Sequence, residues 1–402
     1  MTMWIIILIV ALIGIIAALW YIINRITKFR FIDYIEDRTI YKNKPRTTGK
    51  GADFGLPKKG EEKPKDKPKK SWMRRLIAFL IVLVVVIILI LCFSVVEALV
   101  IVLHAAVIWL LCELIVLILK AFNIDIAHIK VYLAGILAVT GTVVYMIVAY
   151  ILGSNVYITN YELETNKNVE PLRIVQIADS HLGVSINKDT FPKEIEKIKS
   201  LNPDIVLITG DYVDDDSYID ELEACTKELS TINCKYGVYY SFGNHDKGLT
   251  GNNRGYDTEK LVETLKSNNV KVLEDEIVNL DNEYLIIGRA DASKKDRQPI
   301  SQLVSTIDPN TFNSEYSIVM DHQPNDYDNE AKANVDLVLS GHTHGGQFLP
   351  INNIGVLIGA NDYTYGYKKI HNTDFIVTSG ISSWAIRFKT GTKSEIVVID
   401  VK

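Results

Sequence analysis

The first 152 residues contain four long apolar runs, three of them without any charge. Each is close to the length of about 20 helical residues that a hydrocarbon core of about 30 Å requires. A helix satisfies its own backbone hydrogen bonds, so it is the form in which one segment can cross lipid. The pattern therefore predicts four transmembrane helices, near residues 3–23, 76–96, 98–119 and 131–152.

After residue 170 the pattern changes to short β-branched runs that predict strands. Predicted helices alternate with the first strands, which is typical of an α/β domain that begins with a parallel sheet. Later strands follow one another directly, so we expect a mixed or doubled sheet. We assign residues 1–152 to a membrane anchor and 153–402 to this domain. The predicted strands are Leu172–Ala178, Ile205–Thr209, Val238–Phe242, Tyr284–Gly288, Ser317–Met320, Leu337–Ser340, Phe375–Thr378 and Ile396–Ile399, and the helices Lys188–Ser200, Tyr218–Leu229 and Thr258–Asn268.

Charge separates the two halves. Residues 1–152 hold 19 Lys/Arg and 10 Asp/Glu, whereas the rest holds 24 basic and 38 acidic residues. Most of the basic excess lies in 24–75, including the lysine- and proline-rich stretch 58–70, and the positive-inside bias makes this segment a cytoplasmic linker. With four spans, the N-terminus and everything after Gly153 then lie outside the cytoplasm. The acidic second half argues against nucleic-acid binding.

Two kinds of residue leave alternatives open. Glu113 and His104 lie inside the third apolar run, where an ionisable group marks either a functional site or a pairing with a neighbouring helix; we favour pairing. Four cysteines in 402 residues exclude a disulfide scaffold. A bridge between Cys225 and Cys234 stays open if the domain is exported.

Polar clusters follow five of the predicted strands. Ligands of open α/β sheets bind beyond the carboxyl ends of the strands, so we expect these clusters to converge. They are Asp179-Ser180-His181, Gly210-Asp211-Tyr212-Val213-Asp214, Gly243-Asn244-His245-Asp246, Asp321-His322 and Gly341-His342-Thr343-His344-Gly345-Gly346-Gln347.

The donor atoms in these clusters favour a metal centre. Of the six histidines after residue 152, five lie in the clusters and only His371 does not. Carboxylate and amide oxygens with imidazole nitrogens suit divalent manganese, iron or zinc. No thiol is among them, which disfavours a structural zinc site of the cysteine type.

In these five elements, their order and their spacing, the sequence resembles the calcineurin-like metallophosphoesterases, including membrane-anchored bacterial members. The resemblance runs from about Leu172 to the C-terminus. It implies a mixed β-sandwich flanked by helices and two divalent ions. One ion would be held by Asp179, His181, Asp211 and His344, the other by Asp211, Asn244, His322 and His342.

The resemblance also implies a reaction. Two ions held about 3.5–4 Å apart and bridged by Asp211 would orient phosphate oxygens and supply a bridging hydroxide that attacks phosphorus. His245 would contact the phosphate and protonate the leaving oxygen, with Asp214 orienting it; the alternative for Asp214 is a carboxylate that caps a turn. Gly210, Gly243 and Gly341 are expected where a side chain would crowd the ions.

The sequence departs from the protein Ser/Thr phosphatases of this family. Asp215 and Asp216 follow Asp214 where those enzymes carry an arginine. Asp246-Lys247 follow His245 where those enzymes carry Glu-Cys-Arg. Protein phosphatase activity is therefore disfavoured. We expect a membrane-anchored hydrolase of a phosphomonoester or phosphodiester, with a lipid-linked or cell-envelope substrate suggested by location. The alternative is a membrane sensor that binds metal or ligand through this domain without turnover.

Overall fold

The computed structural model describes residues 2–41, 71–124, 131–248 and 254–402. It divides into two units, Met1–Tyr145 and Met146–Lys402. Most of the predicted basic linker, including 58–70, lies outside the described residues.

The helices that precede the strands match the predicted spans in length and apolar composition. Four of the described helices are long and apolar enough to cross a membrane: α1, α3, α4 and α5. The short helix α2 lies inside the predicted linker and was not expected from the pattern. The bounds are α1 Thr2–Ile26, α2 Arg30–Tyr41, α3 Ser71–Cys92, α4 Val95–Ala121 and α5 Leu133–Ser154.

The turn between α3 and α4 lies earlier than expected. The sequence pattern put Glu97 between the two spans, but α4 begins at Val95. The side chain of Ser94 caps this helix by accepting a hydrogen bond from the Glu97 backbone N–H at 3.1 Å. Glu97 therefore lies in the first turn of α4, where its charge complements the helix dipole.

Glu113 of α4 is paired with residues of other segments of the first unit. Its carboxylate accepts hydrogen bonds from the hydroxyls of Tyr21 at 3.0 Å and Tyr132 at 2.6 Å. Arg25 and Lys28 each form an ion pair with it at 2.9 Å. Of the two alternatives for Glu113, pairing with a neighbouring segment therefore explains its position in the apolar run. The contacts also join the end of α1, the later part of α4 and the segment before α5, as spans of alternating direction would.

The second unit contains two six-stranded sheets, which resolves the expectation of a mixed or doubled sheet. The first sheet has the order β1-β12-β2-β3-β4-β5 and the second β10-β11-β9-β8-β7-β6, and both mix parallel and antiparallel pairs. The strands are β1 Val156–Leu163, β2 Leu172–Ile177, β3 Ile205–Thr209, β4 Val238–Ser241, β5 Val270–Leu273, β6 Glu276–Leu280, β7 Tyr284–Gly288, β8 Tyr316–Met320, β9 Leu337–Ser340, β10 Gly366–Ile370, β11 Thr373–Val377 and β12 Ser394–Val401.

The sheets pack face to face, and helices cover their outer faces. One apolar cluster joins residues of both sheets, such as Ile174 of β2 and Ile318 of β8. A second cluster packs the first sheet against α6, α7 and α8, and a third packs the second sheet against α9 and α11. Strands buried on both faces read as continuous apolar runs, as in β3. The helices are α6 Phe191–Ser200, α7 Ile219–Leu229, α8 Thr258–Ser267, α9 Ile300–Ser305, α10 Pro309–Ser314, α11 Tyr327–Lys332 and α12 Ile354–Leu357.

The mixed α/β fold with a preceding apolar helical region is as predicted, but several elements were missed. All eight predicted strands are present, with bounds shifted by three residues or fewer. The strands β1, β5, β6 and β10 were not predicted, because half-exposed strands such as β6 and β10 interrupt their apolar pattern with polar residues.

The four cysteines of the chain are all unbridged.

Candidate metal centre

The five polar clusters lie at the carboxyl ends of five strands from both sheets. In the first sheet, β2, β3 and β4 are parallel neighbours, so the residues that follow them meet at one edge. In the second sheet, β8 and β9 are likewise parallel. Face-to-face packing brings these edges together, and His322 after β8 lies against Asp211 after β3, with Nε2 3.0 Å from Oδ2.

Asp179, His181 and His344 form the first group of candidate ligands, with one donor atom of each lying within 4.8 Å of the others. The Nε2 atoms of the two histidines are 3.2 Å apart, and His344 Nε2 lies 3.5 Å from Asp179 Oδ1. All three residues are buried. They belong to the set predicted for the first ion.

Asp211, His322 and His342 form a second group of the same kind. Asn244 joins it, because its Oδ1 lies 2.8 Å from His342 Nδ1. These are the four residues predicted for the second ion. Asp211 lies between the two groups, since its Oδ2 is also 3.7 Å from His181 Nε2.

His181 Nδ1 lies 3.0 Å from Asp214 Oδ2, at ion-pair distance. A hydrogen bond orients the His322 imidazole, because its Nδ1 lies 2.8 Å from the carbonyl oxygen of Thr209. An Nδ1 that donates to this acceptor leaves the lone pair on Nε2, which faces the cluster. Metal-ligating histidines are usually held in this way.

The electrostatics of the cluster fit a cation. Burial and the nearby charge of Asp211 raise the pKa of Asp179 to about 6. Burial, together with the charge of His322, lowers the pKa of His342 to about 4. Burial and the charge of His181 lower the pKa of His344 well below its ordinary value. By contrast, the charge of Asp211 raises the pKa of His322 well above its ordinary value despite burial. Two buried carboxylates beside imidazole nitrogens make a donor set that matches divalent ions with a preference for nitrogen and oxygen.

His245 lies beside this cluster with Asp214 as its partner. Its Nδ1 is 2.9 Å from Asp214 Oδ1, and its ring lies edge-on to His181 at 5.0 Å. Burial alone would lower the pKa of His245, but the hydrogen bond to Asp214 and the charge of Asp211 outweigh it and raise the pKa to about 9. Asp214 thus contacts both His245 and His181, which is more than a turn cap requires.

The backbone at the cluster is held in an uncommon conformation. Five of the seven predicted ligands have a left-handed backbone, which side chains other than glycine rarely adopt. The structure holds them there through the loops at the strand ends. These residues, with their φ angles, are Asp179 (54°), His181 (38°), Asp211 (50°), His342 (69°) and His344 (49°).

The three predicted glycines permit close approach to the donor atoms. A Cβ at Gly210 would lie 2.5 Å from His322 Nδ1, and one at Gly341 would lie 2.5 Å from Asp179 Oδ2. A Cβ at Gly243 would overlap the Asp211 carboxylate. Only Gly210, with φ of 80°, also needs the conformational freedom of glycine.

Asp246 is a structural residue of the site to which sequence reasoning assigned no role. Its buried carboxylate accepts hydrogen bonds from the backbone N–H groups of Asp211 at 2.8 Å, Val213 at 3.1 Å and Gly243 at 2.6 Å. It therefore ties the loop after β3 to the loop after β4. Its position directly after Asn244-His245 was the available signal, but the loop contacts exist only in the folded chain.

Trp384 and Lys389 were also missed, because they come from segments without a motif, and Gln347, at the end of the fifth cluster, was assigned no role. The Trp384 ring lies 6.1 Å from that of His245, and its backbone N–H donates to Gln347 Oε1 at 3.2 Å. Lys389 is fully buried and donates to the carbonyl oxygen of Ser379 at 2.5 Å. Burial lowers its pKa to about 7, against the opposing charge of Asp179.

Comparison with known proteins identifies the domain that carries this cluster. Residues 172–346 match the model of the calcineurin-like phosphoesterase family. An uncharacterized metallophosphoesterase of Campylobacter jejuni is 30% identical over 247 residues, covering 61% of this chain and 63% of that protein. An uncharacterized metallophosphoesterase of Helicobacter pylori is 30% identical, covering 57% and 59%.

A relative from Danio rerio is described as a transmembrane protein with a metallophosphoesterase domain. It is 27% identical over 250 residues, covering 59% of this chain and 54% of that protein. The chain thus matches between half and two thirds of the length of these relatives. Residues 172–346 are thus similar to the calcineurin-like phosphoesterases, in a chain that also carries four helices long and apolar enough to cross a membrane.

Proposed function

We propose that this protein is a membrane-anchored phosphoesterase that uses two divalent metal ions to hydrolyse a phosphomonoester or phosphodiester. The observation that carries the proposal is the convergence of two groups of candidate ligands around Asp211. The first ion would be held by Asp179, His181, Asp211 and His344, and the second by Asp211, Asn244, His322 and His342.

The proposed reaction divides the work between ions and side chains. When bound, the two ions would neutralise phosphate oxygens and lower the pKa of a water molecule so that it can attack phosphorus near neutral pH. Asp211 would keep the two ligand groups at a fixed separation. His245, protonated and held by Asp214 at 2.9 Å, would contact the phosphate and give its proton to the leaving oxygen.

The membrane helices support a substrate at the bilayer. The chain passes from α5, which ends at Ser154, into β1 at Val156 with a single residue between them. The second unit is therefore tethered directly to the membrane surface. We propose a lipid-linked or cell-envelope phosphoester as substrate, on the extracytoplasmic side given by the positive-inside bias of residues 24–75.

The test is metal-dependent turnover by the full-length protein in detergent. After removal of metal with a chelator, addition of Mn²⁺ should restore hydrolysis of p-nitrophenyl phosphate or bis(p-nitrophenyl) phosphate. Fe²⁺ and Zn²⁺ are compared in the same assay to identify the preferred ion. Failure to hydrolyse either ester with any of these ions, in protein that still binds metal, would favour the sensor alternative.

A further inference from the structure

The second unit exposes a group of large apolar side chains in one short segment. We call it the 349–358 surface. The segment from Gly345 to Asn361 contains no charged residue, and Leu357 is 81% exposed. Contiguous exposed apolar side chains mark sites that contact another molecule or a membrane. The surface consists of Leu349, Ile351, Ile354, Val356, Leu357 and Ile358.

This concentration is unlike the rest of the unit. Among the described residues after α5, ten large hydrophobic side chains are exposed, and six of them form the 349–358 surface. A seventh is Trp384, which is 47% exposed. The other three are Tyr367, nine residues after the segment, and Ile158 and Tyr218, which lie more than 130 residues before it. The exposure is thus a local feature and not a general property of the domain.

The 349–358 surface is connected to the end of α5 within the same unit. The backbone N–H of Leu349 donates to Thr390 Oγ1 at 2.9 Å, and that of Thr390 donates to the Gln347 carbonyl oxygen at 2.8 Å. One residue earlier, the Lys389 N–H donates to the Ala149 carbonyl oxygen of α5 at 3.1 Å. The segment 387–390 therefore contacts both the last turns of α5 and the start of the apolar segment.

The length of α5 places this contact at the surface of a bilayer. A helix of 22 residues is about 33 Å long, so α5 needs nearly its whole length to cross a hydrocarbon core of about 30 Å. Residues Met146–Ser154, which belong to the second unit, then lie near one face of the membrane. The aromatic ring of Tyr150 packs against Phe388 at 6.2 Å, and aromatic residues are typical of membrane–water interfaces.

The same segment leads to the candidate metal centre. Gln347 follows the candidate ligand His344 by three residues, and its side chain holds the backbone of Trp384 through two hydrogen bonds of 3.2 Å. The Trp384 ring lies beside His245. Gln347, two residues before the 349–358 surface, is thus connected through Trp384 to the neighbourhood of the proposed acid.

We propose that the 349–358 surface lies in the headgroup and upper acyl region of the bilayer that α5 crosses, and that it admits an amphiphilic phosphoester from that bilayer to the metal centre. The occupant is lipid of the same membrane, because hydrogen bonds through Lys389 and Thr390 connect the start of the surface to the last turns of α5. The substrate class rests on the proposed function. The membrane contact does not.

A fluorescent probe tests the membrane contact independently of activity. Leu357→Cys is labelled with nitrobenzoxadiazole in full-length protein in nanodiscs, with the four native cysteines replaced by alanine. The probe should show blue-shifted emission and at least twofold quenching by lipids that carry a nitroxide on the acyl chain. Tyr218→Cys, a site 59% exposed but outside the surface, should show water-like emission and little quenching.

Water-like emission at position 357, without quenching, would overturn the membrane contact. Protection of the probe that persists in lipid-free detergent, together with crosslinking between two copies, would assign the surface to self-association instead. Folding of the labelled variants is checked by metal-dependent hydrolysis of p-nitrophenyl phosphate or, if no ester is turned over, by bound metal.

Kinetics of a charged variant test the substrate class. Ile354→Asp combined with Leu357→Asp should reduce hydrolysis of phosphatidic acid or phosphatidyl-p-nitrophenol in nanodiscs at least tenfold. Hydrolysis of p-nitrophenyl phosphate or its bis-ester should stay within twofold. Tyr218→Asp, at the N-cap of α7 where aspartate is well tolerated, should change neither rate.

The outcomes separate the two proposals. Turnover of soluble esters but of neither lipid by the unmodified protein would overturn the lipid substrate and leave the phosphoesterase proposal intact. Equal loss of lipid and soluble turnover in the charged variant would contradict a role limited to lipid access. Absence of all turnover would refute the phosphoesterase proposal, and the fluorescence result would still decide the membrane contact.

Discussion

Individual side chains at the candidate metal centre are constrained more tightly than surface residues usually are. Asp211 touches both ligand groups, and Asp214 touches both His181 and His245. A residue with two partners cannot move toward one without leaving the other. This is the arrangement expected where several groups must hold fixed distances from ions and substrate.

Removing single candidate ligands should abolish metal binding and turnover together. For Asn244→Ala and His344→Ala we expect loss of at least one of two bound ions per chain and at least a hundredfold lower rate, because each removes a donor that no neighbour replaces. Metal analysis and p-nitrophenyl phosphate hydrolysis provide the measurement. The matched control is His371→Ala, an exposed histidine outside the clusters. Full metal content and near-normal rates in the ligand variants would refute the assignment.

Asp214→Asn should move the pH dependence of the reaction. Against the effect of burial, the Asp214 carboxylate and the charge of Asp211 together raise the pKa of His245 to about 9, so removing the charge of Asp214 lowers that pKa toward the ordinary value of about 6.5. The protonated acid is then lost at a lower pH, so the alkaline limb of the rate profile should shift to lower pH. The comparison variant is Asp216→Asn, at an exposed carboxylate in the same loop. An unchanged alkaline limb would exclude His245 as the acid held by Asp214.

At the level of elements, the site depends on loops that short parallel strands hold at one edge. The loops after β3 and β4 are joined by the Asp246 carboxylate. Behind them, Tyr212 of the first loop packs edge-on against Phe191 of α6, with ring centroids 6.2 Å apart. The loops are therefore fixed from both the core and the metal-facing side.

Asp246→Ala should loosen both loops at once. Three buried backbone N–H groups lose their acceptor, at about 1–3 kcal/mol each, so we expect roughly 3 kcal/mol or more of lost stability and weaker metal binding. Chemical unfolding in detergent and metal titration measure these effects. Asp257→Ala, which removes only the N-cap of α8, should cost about 1 kcal/mol and leave metal affinity unchanged. Equal effects of the two variants would contradict the special role of Asp246.

The elements that were predicted and those that were missed differ in burial. β3, β7 and β9 have the predicted bounds because strands covered on both faces are continuously apolar. β6 and β10 are half-exposed, and their mixture of polar and apolar residues resembles a loop. The predicted position of the turn before α4 was wrong, because a hydropathy pattern does not show where an N-cap residue starts a helix. Ser94 and Glu97 decide it through one hydrogen bond.

For the whole molecule, the number and direction of the spans decide which side of the membrane the domain occupies. In the first unit, Arg25 and Lys28 lie near the end of α1. Both form ion pairs with Glu113, which lies in the later part of α4. Lys120 lies in the last turn of α4, and Arg74 and Arg75 lie near the start of α3. Basic residues thus flank the helix ends that four alternating spans would place in the cytoplasm, which supports the proposed orientation.

A protease added to intact cells should digest the second unit while sparing residues 24–75. The positive-inside bias predicts this accessibility, and an epitope tag at the C-terminus followed by blotting measures it. A second tag inserted in the basic segment near residue 60 should be degraded only after the cells are opened. Protection of the C-terminal tag in intact cells would reverse the orientation and move the proposed substrate to the cytoplasmic leaflet.

Local patterns in the sequence were sufficient for the four apolar helices, the α/β class and the polar clusters at the strand ends, because span length, strand burial and the order of motif residues are properties of short segments. The division of those clusters into two ligand sets came from the family resemblance. The roles of Asp246, Trp384 and the 349–358 surface emerged only from the folded chain. Each depends on contacts between segments that carry no shared pattern, and exposure of an apolar residue is decided by what packs beside it. The left-handed backbone of five candidate ligands likewise reflects constraints that the surrounding sheets and loops impose together.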